Sequence, residues 1–179
     1  DIRNVKEVNG GFYYFEANWL WDNLSALTPA ESGEIYLTDL VARASQQNLT
    51  ISSVTPSNAH ELIGVNNQVQ LSEAQKVMRE RVQTKLMLAG VSIPDPDSVY
   101  IDFGVQIGMD SEILPNTHIT GSSVIGTNCR VGPNSIIHES NLGSGCLVVS
   151  SNISNSTLSE NVSVGPFSHI REAAELGDG

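Results

Sequence analysis

The chain has 179 residues, enough for one or two domains, and 40% of them are apolar, an ordinary share for a globular protein. Nine basic residues against twenty acidic ones leave a formal charge of −11, which argues against a nucleic-acid surface. An acidic balance still leaves room for a phosphorylated ligand, which local backbone donors or a metal ion can hold. No run of apolar residues is long enough to span a membrane, and no signal-peptide pattern opens the chain. Two cysteines do not make a disulfide framework, so a cytoplasmic protein is the expectation.

Residues 1–65 read as mixed α/β. The aromatic run 11–15 is a strand candidate, and residues 17–27 have helical spacing through Trp19, Leu20, Leu24 and Leu27. A second helix is expected over 36–44 and a short strand over 49–54. Few strands are available to close a sheet, which suggests that part of this domain is missing. A longer helix follows, its start marked by the capping box Ser72-Glu73-Ala74-Gln75 and its stop by Gly90 at C′. Val77, Met78, Val82, Leu86 and Leu88 supply its apolar face. Arg79, Arg81 and Lys85 form a solvated face where cations oppose the negative end of the helix dipole. Pro94-Asp95-Pro96 is a turn.

From Ile101 an apolar residue returns at every sixth position: Ile107, Ile113, Ile119, Ile125, Val131 and Ile137. Leu142, Val148, Ile153, Leu158, Val164, Ile170 and Leu176 continue the series, with three steps shortened to five residues. This period fits neither a helix nor a simple alternating strand; it is that of the hexapeptide-repeat parallel β-helix, three rungs to a triangular coil. Gly108, Gly126, Gly132, Gly143 and Gly165 each follow an inward aliphatic residue, where tight corners need small or φ-permissive residues. Cys129 and Cys146 each lie four residues beyond an inward residue, and Ile125 to Leu142 is one full coil. The two cysteines are therefore expected to stack on adjacent coils as reduced, buried thiols. His60, His118, His138 and His169 show no metal-ligand spacing and read as structural or solvent-facing. The fourteen rungs make fewer than five coils and end at Gly179 without a cap, which implies that the polypeptide continues.

Several stretches together resemble one family. They are residues 7–11 (EVNGG), 33–39 (GEIYLTD), 64–71 (GVNNQVQL) and 85–91 (KLMLAGV), then Asp95-Pro96 and, in the solenoid, residues 165–171 (GPFSHIR). In this order they look like the bifunctional N-acetylglucosamine-1-phosphate uridylyltransferase and glucosamine-1-phosphate acetyltransferase. The resemblance implies an α/β plus β architecture: 1–71 the C-terminal part of a Rossmann-like nucleotidyltransferase domain, 72–94 a linker helix and turn, and 95–179 a truncated left-handed β-helix. It implies uridylyl transfer from UTP with Mg²⁺, acetyl transfer from acetyl-CoA, a product (UDP-N-acetylglucosamine) that feeds cell-wall synthesis, and a homotrimer formed through the β-helix.

Carried over residue by residue, the resemblance implies that Asn9 hydrogen-bonds the N-acetylglucosamine moiety, Asn66 helps to hold Mg²⁺, and Tyr36 and Thr38 lie near the sugar. It implies that Arg171 forks onto the sugar phosphate of the acetyltransferase site. Two departures stand out: the family's Asn-Thr-Gly is Asn9-Gly10-Gly11 here, and its Arg-Pro-Gly is Arg171-Glu172-Ala173. The family's glycine-rich phosphate loop and its general-base histidine do not occur among the 179 residues. The chain therefore reads as an internal piece with no catalytic residue of its own and no turnover in isolation. Two other expectations remain open, a nucleotidyltransferase whose β-helix is purely structural, and a non-catalytic trimerisation module.

Overall fold

The structure, a computed structural model, describes residues 9–178, and of residues 59 and 60 the backbone alone. Glu7, Val8, Gly179 and the side chain of His60 thus lie outside the described residues. The chain divides into two compact units, one ending at Gly64 and the other running from Val65. Among the described residues no helix is long and apolar enough to cross a membrane.

The first unit is built on α1 (Ala17–Leu24) and α2 (Asp39–Gln46), with a 3₁₀ turn at Ala59–Leu62. Against the expected spans, α1 ends three residues early, and α2 starts three residues later than position 36 and ends two later than position 44. Glu16 starts α1, its carboxylate accepting from the N–H groups of Asn18 and Trp19 at 3.1 and 2.7 Å, which holds that carboxyl below its ordinary pKa. Leu40 and Ala44 form the apolar centre, and Asn23, 7% exposed, joins the helices. Its amide donates to the Trp19 carbonyl at 2.8 Å, and its oxygen accepts from Arg43 Nε and from Gln47 Nε2. A buried amide bonded through both its nitrogen and its oxygen fixes the helix pair in one register.

The strands expected over 11–15 and 49–54 do not form. The alternation that suggested the first is present, since Phe12 and Tyr14 are exposed while Tyr13 and Phe15 are half-buried and ring-stacked at 5.8 Å. Among the described residues neither segment has a neighbouring strand, however, and an extended chain without ladder partners is not a strand.

In the second unit, α3 (Gln68–Leu88) starts a turn earlier than the Ser72 box predicts. Asn67 is the N-cap, its Oδ1 accepting from Gln70 N at 2.9 Å, and Gln70 Oε1 reaches back to Asn66 N at 2.8 Å. This reciprocal pair does what a capping box does and leaves Ser72 inside the helix. Gly90, at φ +94°, ends the helix as expected. Gln83, 2% exposed, donates to the Pro96 and Val99 carbonyls at 2.8 Å each and so pins α3 to the first rung of the solenoid.

The solenoid comprises β1 (Tyr100–Ile101), β2 (Gln106–Ile107), β3 (Glu112–Ile113), β4 (His118–Thr120), β5 (Val124–Ile125), β6 (Arg130–Val131), β7 (Ile136–His138), β8 (Asn141–Leu142), β9 (Leu147–Val148), β10 (Asn152–Ser154), β11 (Thr157–Leu158), β12 (Ser163–Val164), β13 (His169–Ile170) and β14 (Glu175–Leu176). They form three parallel sheets in the orders β1-β4-β7-β10-β13, β14-β11-β8-β5-β2 and β12-β9-β6-β3. This is the parallel β-helix of hexapeptide repeats that the period predicted. The second residue of each strand is the inward aliphatic of the sequence series, so like stacks on like: Ile101, Ile119, Ile137, Ile153 and Ile170 form one column.

Two residues before each inward aliphatic stands a small side chain that the period alone does not reveal. Ser123, Ser140 and Ser156 are buried, and each of the first two accepts from the backbone N–H of the next at 3.1 Å. These hydroxyl ladders satisfy polar groups that the prism buries. Cys129 and Cys146 occupy the equivalent position on the third sheet, on adjacent coils and as free thiols, as expected. Their Sγ atoms donate to the Gly143 and Ser159 carbonyls, both at 3.1 Å, and burial pushes both thiols above their ordinary pKa.

Candidate functional site

Within the first unit, Asn9 and Thr38 share a cleft of about 580 Å³ with Tyr13, Val41, Ser45 and Ile51. Thr38 reaches it because it is the N-cap residue of α2 and its side chain makes no capping bond. Asn9 Oδ1 accepts from Gly11 N at 3.0 Å, and its Nδ2 donates to the Tyr13 hydroxyl. One N–H and one lone pair of the amide are left to face the cleft. Tyr36 does not line it; its hydroxyl donates to Glu34 Oε2 at 2.8 Å.

Asn66 belongs to the second unit and is exposed. Because Asn67 does the capping, the Asn66 side chain makes no hydrogen bond among the described residues. For magnesium, one neutral amide oxygen is a poor start, since Mg²⁺ demands octahedral oxygen ligation that includes carboxylate or phosphate. Among the described residues no group of three His, Cys, Asp or Glu could hold a metal ion. The residues present do not by themselves fit a Mg²⁺ site.

A second cavity, of about 430 Å³, opens on the solenoid and is lined by Ser154, His169, Arg171 and Glu172. Strand register builds it. Ile153 pairs with Ile170, so the residues that follow, Ser154 and Arg171, stand side by side on neighbouring coils. The Ser156 hydroxyl donates to the Arg171 carbonyl at 2.7 Å and fixes its backbone. Among the described residues neither the Arg171 guanidinium nor the Glu172 carboxylate has a protein partner, and both are exposed. Ala173 adopts φ +61°, the left-handed conformation that suits the glycine of the Arg-Pro-Gly pattern. The turn is therefore made despite the altered sequence.

Of the predicted site residues, Asn9 and Thr38 come together in one cleft and Arg171 lies in another. Ser154, His169 and Glu172 were not singled out from sequence as cavity residues. Counting three rungs back from Arg171 would have reached Ser154. On the same sheet His118 stacks on Tyr100 at 4.7 Å with Arg79 over the Tyr100 ring, while His138 Nδ1 lies 2.9 Å from Thr120 Oγ1. Exposed polar side chains of this kind recur along the sheet at the strand spacing.

Six-residue rungs stacked into a parallel prism, with an arginine-bearing cavity on one face, define a hexapeptide-repeat β-helix protein. The family described as bacterial transferase hexapeptide (six repeats) matches residues 104–139. The chain's relatives include proteins named Bifunctional protein GlmU. That of Caldanaerobacter subterraneus subsp. tengcongensis is 45% identical over 94% of this chain and 37% of its own length. Those of Fervidobacterium nodosum and Synechococcus elongatus are 42% and 39% identical, over 97% and 98% of this chain and 38% of theirs. Along nearly its whole length the chain is thus homologous to proteins of that name, and it spans somewhat over a third of the length of these relatives. Among solved structures, a perosamine N-acetyltransferase from Caulobacter crescentus aligns over 56% of this chain and 60% of that one, at 11% identity and a TM-score of 0.27.

Proposed function

We propose that this chain serves in a bifunctional enzyme that makes UDP-N-acetylglucosamine. Its solenoid takes part in acetyl transfer from acetyl-CoA to glucosamine 1-phosphate, and its first unit in uridylyl transfer from UTP to the acetylated product. The observation that carries this reading is the unpaired Arg171 guanidinium at a cavity beside Ser154 and His169. A planar fork of N–H donors suits two oxygens of a phosphate monoester, and the neighbouring hydroxyl and imidazole add shorter-range hydrogen bonds. The Asn9 amide, with one donor and one acceptor unengaged, suits an acetamido group, which offers one of each. Homology to proteins named as bifunctional supports placing both sites on one polypeptide. A homotrimer built through the β-helix and cytoplasmic residence accompany this reading.

In this scheme Arg171 binds and orients the sugar phosphate and transfers no proton. A guanidinium remains charged at any working pH and is a poor acid or base. The 179 residues on their own are accordingly expected to bind sugar phosphate without turning over either reaction. Calorimetric titration with glucosamine 1-phosphate tests the binding. Arg171→Ala should abolish the signal and Arg171→Lys should weaken it about tenfold by losing the fork. Wild-type chain that binds no sugar phosphate, or R171A that binds as well as wild type, would refute the proposal.

A further inference from the structure

We propose that Glu172 is the residue through which the solenoid cavity selects an amino sugar phosphate over a neutral one. The inference rests on the sugar-phosphate reading of this cavity and adds the group that recognises the amine.

The solenoid has other carboxylates next to corners on this sheet, and those are occupied with the fold. Asp102 Oδ2 accepts from Gly121 N at 2.8 Å, and Glu139 Oε2 accepts from Ser122 N at 3.2 Å. Glu172 follows the same sheet two coils after Glu139 and four after Asp102, and has no such bond among the described residues. The corner at Glu172 differs from that at Glu139. After Ile137 and after Ile153 the next inward residue arrives five positions on, at Leu142 and Leu158, whereas after Ile170 it arrives six on, at Leu176. In the shorter corner Glu139 itself takes the left-handed conformation, at φ +44°. In the longer one Ala173 takes it, one position later, and Glu172 lies on the cavity wall beside Arg171.

The cavity therefore presents one fixed cation, one carboxylate, an imidazole and a hydroxyl. A carboxylate beside the arginine opposes a ligand that is only an anion, because it repels phosphate and competes for the guanidinium. It favours a ligand that carries a phosphate and an ammonium group on one small scaffold, since each charge then meets its opposite. A hexosamine phosphate is that ligand, and its neutral hexose counterpart is not. The site thus discriminates by leaving a charge unmatched when the wrong sugar enters.

Calorimetric titration of the 179-residue chain with glucosamine 1-phosphate and with glucose 1-phosphate, for wild type and Glu172→Gln, tests this. Wild type should prefer the amino sugar about tenfold, and E172Q should bring the two ligands within about twofold by weakening the first and strengthening the second. Glu172 is exposed, so the substitution leaves the fold intact, which circular dichroism will verify. If wild type binds both sugars equally, or E172Q weakens both alike, Glu172 is not the selector while the phosphate site stands. If neither sugar binds wild type, the phosphate reading fails and this inference with it.

Discussion

Replacing Gly126 by alanine should loosen the solenoid from its middle. Gly108, Gly126 and Gly143 occupy the same corner on successive coils, and none of them is there for a positive φ. What they lack is a Cβ. One built on Gly126 would lie 2.6 Å from Ser144 N and 2.7 Å from Gly143 C, roughly 0.8 Å inside ordinary contact, against backbone that cannot swing away. The coils here are tied by Gly126 N to the Leu142 carbonyl and Gly143 N to the Leu158 carbonyl, both at 2.8 Å. Opening the gap by that amount takes the first of these bonds past useful length, at about 1 kcal/mol, on top of about 1–3 kcal/mol of overpacking strain. A loss of about 2–4 kcal/mol is expected. With a urea m-value of about 2 kcal/mol/M, the unfolding midpoint followed by circular dichroism should fall by about 1–2 M. Gly104→Ala is the control, because its Cβ would meet only the Gly121 carbonyl oxygen at 3.3 Å, and its midpoint should barely move. Equal midpoints for G126A and G104A would refute the close-approach argument.

Four further outcomes follow from the packing. Ile137→Ala removes a side chain that is fully buried at the centre of its column, and should cost about 3–4 kcal/mol in denaturant unfolding, against a smaller loss for the half-buried Ile170→Ala. Ala173→Gly relieves a left-handed alanine and should raise stability by about 1 kcal/mol, visible as a higher melting temperature. Gln83→Leu strips the amide from the Pro96 and Val99 carbonyls, and should cost about 2 kcal/mol in urea unfolding by leaving buried acceptors unpaired. Burial raises the pKa of the Cys129 and Cys146 thiols, so their stabilising contribution is complete below the ordinary thiol range and is lost as pH rises above it, where the unfolded chain ionises first. A double Cys→Ser variant should therefore show a flatter stability profile between about pH 8 and 10, and alkylation of the wild-type thiols should require unfolding.

The solenoid was legible because its constraint repeats. Each rung must turn one aliphatic side chain inward, so the six-residue beat names every inward residue from Ile101 to Leu176 and, by counting three rungs, the stacking of Cys129 on Cys146. The serine ladders were not legible in the same way. Serine recurs at that position only on some coils, with Thr117, Cys129, Cys146 and Val162 filling others. The first unit was read less well, since alternation in residues 11–15 reports which side chains turn inward but not whether a neighbouring strand exists to pair with. At α3 the Ser72 box satisfies the capping pattern in sequence, but Asn67 with Gln70 makes the cap in the structure. Arg171 came from resemblance, while its neighbours in the cavity come from register across the coils, which joins Ser154 and Arg171 over seventeen positions of chain.

The most direct test of the bifunctional reading is an exchange. These 179 residues would replace the matching 37% of the Caldanaerobacter relative, and the folded chimaera would be assayed for acetyl transfer to glucosamine 1-phosphate and for uridylyl transfer from UTP. Both activities should be retained, with acetyl transfer lost on Arg171→Ala and uridylyl transfer unaffected by it. A well-folded chimaera that performs neither reaction, or one whose acetyl transfer is indifferent to Arg171, would contradict the assignment.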